Sequence, residues 1–189
     1  DQDYDEVYVS YDLMFAPDFD QTTSLGGKML GVSGAPEGMK APTGGNPPGP
    51  DEGFSARSMQ KRGDAIQYIY EQQMTGQYPI GDAWDHTGDA YRFPLGEILH
   101  FEQYIRMNTP GQSNGVSAIW INGELVSYED GYIFSESGGY GIGQLNMDFW
   151  AGGKSDDWKP ANDSVMWVDD ILVSTVPLAE LPDEITATG

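Results

Sequence analysis

Short runs that alternate apolar and polar residues with period two, cut apart by clusters of Gly, Pro, Asn and Asp, fill most of this chain. That pattern is the signature of strands and turns rather than of helices. EVYVSYDLMF puts Val7, Val9, Tyr11 and Leu13 on one face, and HFEQYIRMN sets Phe101, Gln103, Ile105 and Met107 against His100, Glu102, Tyr104 and Arg106. VSAIWINGELV reads as a hairpin turning at Asn122-Gly123, the dipeptide best able to take two positive φ values. YGIGQLNMDFW and SVMWVDDILVS supply further strands. The stretch APEGMKAPTGGNPPGPDEG, dense in Gly and Pro, holds neither a helix nor an inner strand. It is predicted to be a long loop, of the kind that is usually functional or disordered.

Many short strands in 189 residues predict an all-β fold: a β-sandwich jelly roll (concanavalin A-like) with a polar groove on one sheet. The domain is expected over 1–176, with 177–189 as a C-terminal tail or linker. Hydrophobic content of 39% and aromatic content of 12% are enough for one folded core.

Charge narrows the function. A formal charge of −21 argues against nucleic acid and anionic membranes as partners of the general surface. An acidic coat suits a saline medium, where self-repulsion is screened. The chain has no cysteine, which excludes disulfides, thiolate catalysis and Cys-bound zinc. His86 and His100 form no metal-binding pair, so no transition-metal site is expected. No run approaches the roughly 18 apolar residues of a membrane span, and the start has no signal-peptide pattern. The expectation is the mature form of a secreted protein, extracellular or periplasmic, and a monomer.

Five of the nine basic residues, Lys28, Lys40, Arg57, Lys61 and Arg62, fall between positions 28 and 62. In a strand, Ser55, Arg57 and Met59 share a face, as do Ile66, Tyr68, Tyr70 and Gln72 in the next. A two-residue turn at Arg62-Gly63 would set Arg57 opposite Tyr68, and one at Gly63-Asp64 would set it opposite Tyr70. Such a face is too polar for a sealed core. It suits the floor of a wet groove or an exposed face with tyrosines lying against an arginine. It could also run β-elimination on a polyuronate. The C5 proton of a uronate becomes removable once Lys or Arg neutralises the neighbouring carboxylate. A tyrosine whose pKa cations lower can act as base, and a protonated tyrosine can serve the leaving oxygen.

These residues carry a family resemblance. LGGKMLGVSG resembles the GGKLPGL signature of family 14 polysaccharide lyases and related alginate and glucuronan lyases, which are jelly rolls. In the same order, GFSARSM resembles the family's Ser-x-Arg-x-Met strand and IQYIYEQ its Tyr-x-Tyr strand. MNTPGQSNGVSAIWINGELV resembles its NTPG hairpin and DDWKPANDSVMWVDDILVS its closing strand. The resemblance implies that Lys28 faces the substrate carboxylate, Arg57 assists, Ser55 lines the subsite with Met59 on the same strand, and Tyr68 and Tyr70 supply base and acid in an order left open. It implies an anionic polysaccharide substrate, alginate first and glucuronan second, and no required cofactor. Met29-Leu30-Gly31 departs from Leu-Pro-Gly, and Gln60 stands where many members carry Trp; both bear on substrate choice more than on chemistry.

Further candidates are Lys40 in the loop as a sugar contact, and Gln144, Asn146 and Asp148, which alternate and could bind sugar hydroxyls. Arg106 and His100 lie on another strand of similar polarity, with His100 as an alternative base. Trp84, Trp150 and Trp158 could stack on sugars or fill the core. Asp156, Asp157, Asp163, Asp169 and Asp170 could hold a structural calcium, although they lack EF-hand spacing. Two rival functions stand beside the lyase. A carbohydrate-binding module would share the fold, and a glycoside hydrolase would need a carboxylate pair across the bond.

Overall fold

The computed structural model describes residues 3–22, 24–79, 91–153 and 155–178. Among these residues ten strands occur in chain order: β1 (Glu6–Phe15), β2 (Gly27–Gly34), β3 (Phe54–Lys61), β4 (Asp64–Tyr70), β5 (Leu99–Arg106), β6 (Gly115–Ile121), β7 (Glu124–Tyr132), β8 (Gln144–Asn146), β9 (Trp150–Ala151) and β10 (Met166–Ser174). They form two antiparallel sheets. The first runs β10-β1-β5-β6-β7, and the second runs β4-β3-β2-β8 with β9 also paired to β2. Among the described residues the one helical element is a 3-10 turn at Asp156–Trp158, and no helix is long and apolar enough to cross a membrane.

The alternation in β1 does what it predicts. Val7, Val9, Tyr11 and Leu13 are all buried, and they pack in one core with Phe101 and Ile105 of β5, Ile119 and Ile121 of β6, and Met29, Leu30, Val32, Phe54 and Ile69 of the second sheet. Burying each large apolar side chain contributes about 1.5–3 kcal/mol. The hairpin turn is where the sequence puts it, with φ of 53° at Asn122 and 79° at Gly123. Residues 35–53 form the expected long loop without regular structure.

Two expectations need correcting. YGIGQLNMDFW is not one strand but the short β8 and β9 separated by Met147, Asp148 and Phe149. The cause lies in β2. Gly31 pairs with Asn146 and Lys28 with Trp150, so three residues on one side face only Met29 and Leu30 on the other. The outward face of β5 is also less exposed than its polarity suggests. Glu102 and Tyr104 are buried, and Tyr104 joins Tyr8, Val116, Ala118 and Trp120 in a second, smaller cluster.

Candidate active site

The second sheet places its outward residues in a regular grid. The turn falls at Arg62-Gly63, where φ is 54° and 87°, so Arg57 stands opposite Tyr68, Met59 opposite Ile66, and Ser55 opposite Tyr70. Across β2 the same three rows continue: Met59 to Lys28, Arg57 to Gly31, Ser55 to Ser33. They end on Trp150, Asn146 and Gln144 respectively. Lys28 and Gly31 are three residues apart, and an even ladder would put them on opposite faces. A bulge between them keeps both outward and sends Met29 and Leu30 together into the core. Gly31 itself admits no side chain, because a Cβ there would sit 2.2 Å from the Ala56 carbonyl oxygen.

Lys28 is half-buried and surrounded by aromatic rings, its Nζ 4.8 Å from the centre of Tyr68, 5.0 Å from Trp150 and 5.3 Å from Trp158. Burial, then the Arg57 charge, pulls its pKa below the ordinary lysine value. Arg57 is buried and its Nη2 lies 2.8 Å from Asp148 Oδ2. Two buried donors on this face, Arg57 Nε and Asn146 Nδ2, find no acceptor among the described residues.

The tyrosine hydroxyls lie 3.3 Å apart, with the rings edge to face. Tyr68 is half-buried, and burial, followed by the Tyr70 hydroxyl, pushes its pKa well up; Arg57 pulls it down but loses. Cations therefore do not make Tyr68 a ready base in the empty site. Tyr70 is more deeply buried, and its hydroxyl oxygen accepts the Gly45 N–H at 2.8 Å. The Ser55 hydroxyl donates to the Pro42 carbonyl at 2.8 Å. Both residues are thus engaged by the 35–53 loop.

The other candidates divide clearly. Gln144 and Asn146 are on the grid, their Oε1 and Oδ1 atoms 3.2 and 3.4 Å from the Ser33 hydroxyl. Met59 is buried on it, and Lys40 is exposed in the loop. Arg106 does not join them: it lies on β5 in the first sheet, in register with Glu6. His100 is on the same strand, its Nδ1 2.9 Å from Asp12 Oδ1. Trp84 and His86 lie outside the described residues. The five aspartates suggested for calcium do not converge; Asp156 pairs with Lys159 at 2.5 Å, and no cluster of three metal-binding side chains occurs among the described residues. The sequence reading missed the closeness of Asp148 to Arg57 and of Trp150 and Trp158 to Lys28. The one available signal was the break in period two at Lys28-Met29-Leu30-Gly31.

Comparison with known proteins places this geometry. The family model Polysaccharide lyase 14 matches residues 1–171. The chain therefore belongs to polysaccharide lyase family 14, and it is a lyase of the all-β jelly-roll type. A search of curated proteins finds no match. Among solved structures, the alginate lyase Aly36B superposes with a TM-score of 0.77 at 26% identity, over 95% of this chain and 73% of that one. The marine PL-14 alginate lyase of Aplysia kurodai gives 0.75 at 19% identity, over 93% and 72%. The endo-β-1,4-glucuronan lyase of the fungus Trichoderma reesei gives 0.63 at 13% identity, over 93% and 71%.

Proposed function

We propose that this lyase cleaves a 4-linked polyuronate, alginate in the first place, by β-elimination on the outward face of the second sheet. The observation that carries the reading is the meeting of Lys28 with Tyr68 beside Arg57, on a protein whose net charge is −21. A polyanion needs a local surplus of positive charge, and salt screens the rest. Alginate is favoured over glucuronan by the higher identity to Aly36B. An Aly36B variant with a lysine and a tyrosine replaced by alanine was solved with an alginate tetrasaccharide bound.

Lys28 and Arg57 neutralise the uronate carboxylate. A base takes the C5 proton, the electron pair forms the C4–C5 double bond, the C4–O bond breaks, and an acid protonates the leaving oxygen. Tyr68, whose proton is held tightly by burial, suits the acid. Tyr70, its hydroxyl 3.3 Å from that of Tyr68, is left as the base; its oxygen accepts the Gly45 N–H, so reaching the sugar requires that loop contact to open. Ser55, Met59, Gln144 and Asn146 line the floor and Lys40 the loop wall. The chemistry needs no metal or organic cofactor. The working unit is a single domain over 1–176, acting as a monomer in a saline extracellular or periplasmic setting.

One observation favours a second assignment. The lowered pKa of Lys28 suits an amine base, with Arg57 alone neutralising the carboxylate. Lys28→Arg separates the two: a neutralising cation survives the exchange and a base does not.

The test is ultraviolet absorbance over time in high salt, with alginate, polymannuronate, polyguluronate and glucuronan in separate cells. A rise in one cell is expected, since elimination makes a conjugated double bond and hydrolysis does not. No rise in any cell, with binding retained on gel retardation, would reject the proposal in favour of a carbohydrate-binding module.

A further inference from the structure

Among the described residues one acid is paired with a cation of this face. Asp148 Oδ2 meets Arg57 Nη2 at 2.8 Å, with the arginine side chain 10% exposed and the aspartate 56%. Asp148 belongs to no strand, but to the break between β8 and β9 opposite the β2 bulge. Gly31 stands between Arg57 and Asn146 in the grid, so no side chain bars the way from the arginine to that break.

The contact answers an electrostatic need of the site. Arg57 acts on Lys28 as a like charge, and two neighbouring cations on a half-buried face are costly without an anion. Yet the match is partial, because Arg57 Nε is buried and finds no acceptor among the described residues. A guanidinium takes a carboxylate best through two parallel N–H bonds.

From this we propose that Asp148 is an internal stand-in for the substrate's carboxylate, a specificity-determining residue that holds Arg57 in the empty site and yields it to an incoming uronate. The inference rests on the polyuronate reading above. A uronate carboxylate replaces the aspartate charge for charge and can engage Nε as well. Asp148 then returns to water at small cost, since it is already more than half exposed. A neutral sugar has nothing to exchange: parting the pair for it would leave a buried guanidinium unpaired. Discrimination therefore comes partly from a contact that the wrong ligand would have to break.

Glucuronate titrated calorimetrically into wild type, Asp148→Asn and Asp148→Ser, with glucose as the neutral control, tests this. Both variants should bind glucuronate about three- to fivefold more tightly than wild type, with KM for the polyuronate falling by a similar factor and glucose bound by none. Glucuronate affinity unchanged or weakened in both variants would overturn the inference. The titration needs no turnover. Wild type that binds glucuronate but gives no ultraviolet rise on any polyuronate would reject the catalytic reading alone. Should the variants melt below the assay temperature, wild type decides by NMR: glucuronate should shift an aspartate side-chain carboxyl 13C resonance that glucose leaves in place, and no such shift overturns the inference.

Discussion

Each sheet turns outward a pair of tyrosines, an arginine and a carboxylate. On the second sheet these are Tyr68, Tyr70, Arg57 and Asp148; on the first they are Tyr8, Tyr104, Arg106 and Glu6. The residue types match and the charge balance is reversed. On the second sheet Lys28 joins Arg57, and among the described residues Asp148 alone forms an ion pair with either. On the first, Glu6 stands opposite Arg106 and Asp12 opposite His100, with Glu102 between those two on β5, and the Tyr104 hydroxyl donates to Glu6 Oε2 at 2.8 Å. Burial and then Glu6 push the Tyr8 pKa up to about 12. A polyanion meets a surplus of cations on one sheet and of acids on the other. What distinguishes the two faces is thus which charge is left over.

The comparison can be broken most sharply at its cations. Lys28→Ala should cut elimination by about a hundred- to thousandfold in a folded protein, while Arg106→Ala should leave turnover within about twofold. Similar losses in the ultraviolet assay would mean that the sheets are not so different. Next in size, Tyr68→Phe should lower kcat by about a hundredfold or more, with KM nearly unchanged.

Gly31→Ala sharpens the structural side. A Cβ placed 2.2 Å from the Ala56 oxygen should cost about 1–3 kcal/mol on a urea melt and disturb the bulge beneath the site. Tyr104→Phe, the counterpart on the first sheet, should cost about 1 kcal/mol through the lost bond to Glu6 and leave activity alone. The smallest effect is on pH dependence. Folding holds the Lys28 pKa below its ordinary 10.5, so over that window the unfolded chain binds more protons. Wild-type stability should therefore rise relative to Lys28→Ala as pH climbs toward 10.5. A flat difference between the two melting curves would show that Lys28 is not desolvated.

Much of this was legible in the chain. Alternation alone picked the core face of β1, and Asn122-Gly123 marked a turn because few dipeptides accept two positive φ values. Arg57 was left opposite either Tyr68 or Tyr70, since both turns contain Gly63 and local sequence does not choose between them. Burial of Ala65 on the core face accompanies the register adopted. Arg106 stood as a further candidate because period two gives a face and not a sheet. Asp148 was hidden for a longer-range reason: its reach to Arg57 depends on the break between β8 and β9, which lies opposite the β2 bulge. Ser55 shows the same limit, its hydroxyl having gone to a loop carbonyl thirteen residues away.

That loop reaches further than its exposed surface suggests. By donating the Gly45 N–H to Tyr70 and accepting the Ser55 O–H at the Pro42 carbonyl, it helps set what those two hydroxyls can still donate or accept. Substitutions around residues 42–45 would then alter the hydrogen bonds the site can offer without changing any of its charged side chains. Two enzymes with identical Lys, Arg and Tyr residues could differ in how they hold a sugar because of a stretch of glycine and proline.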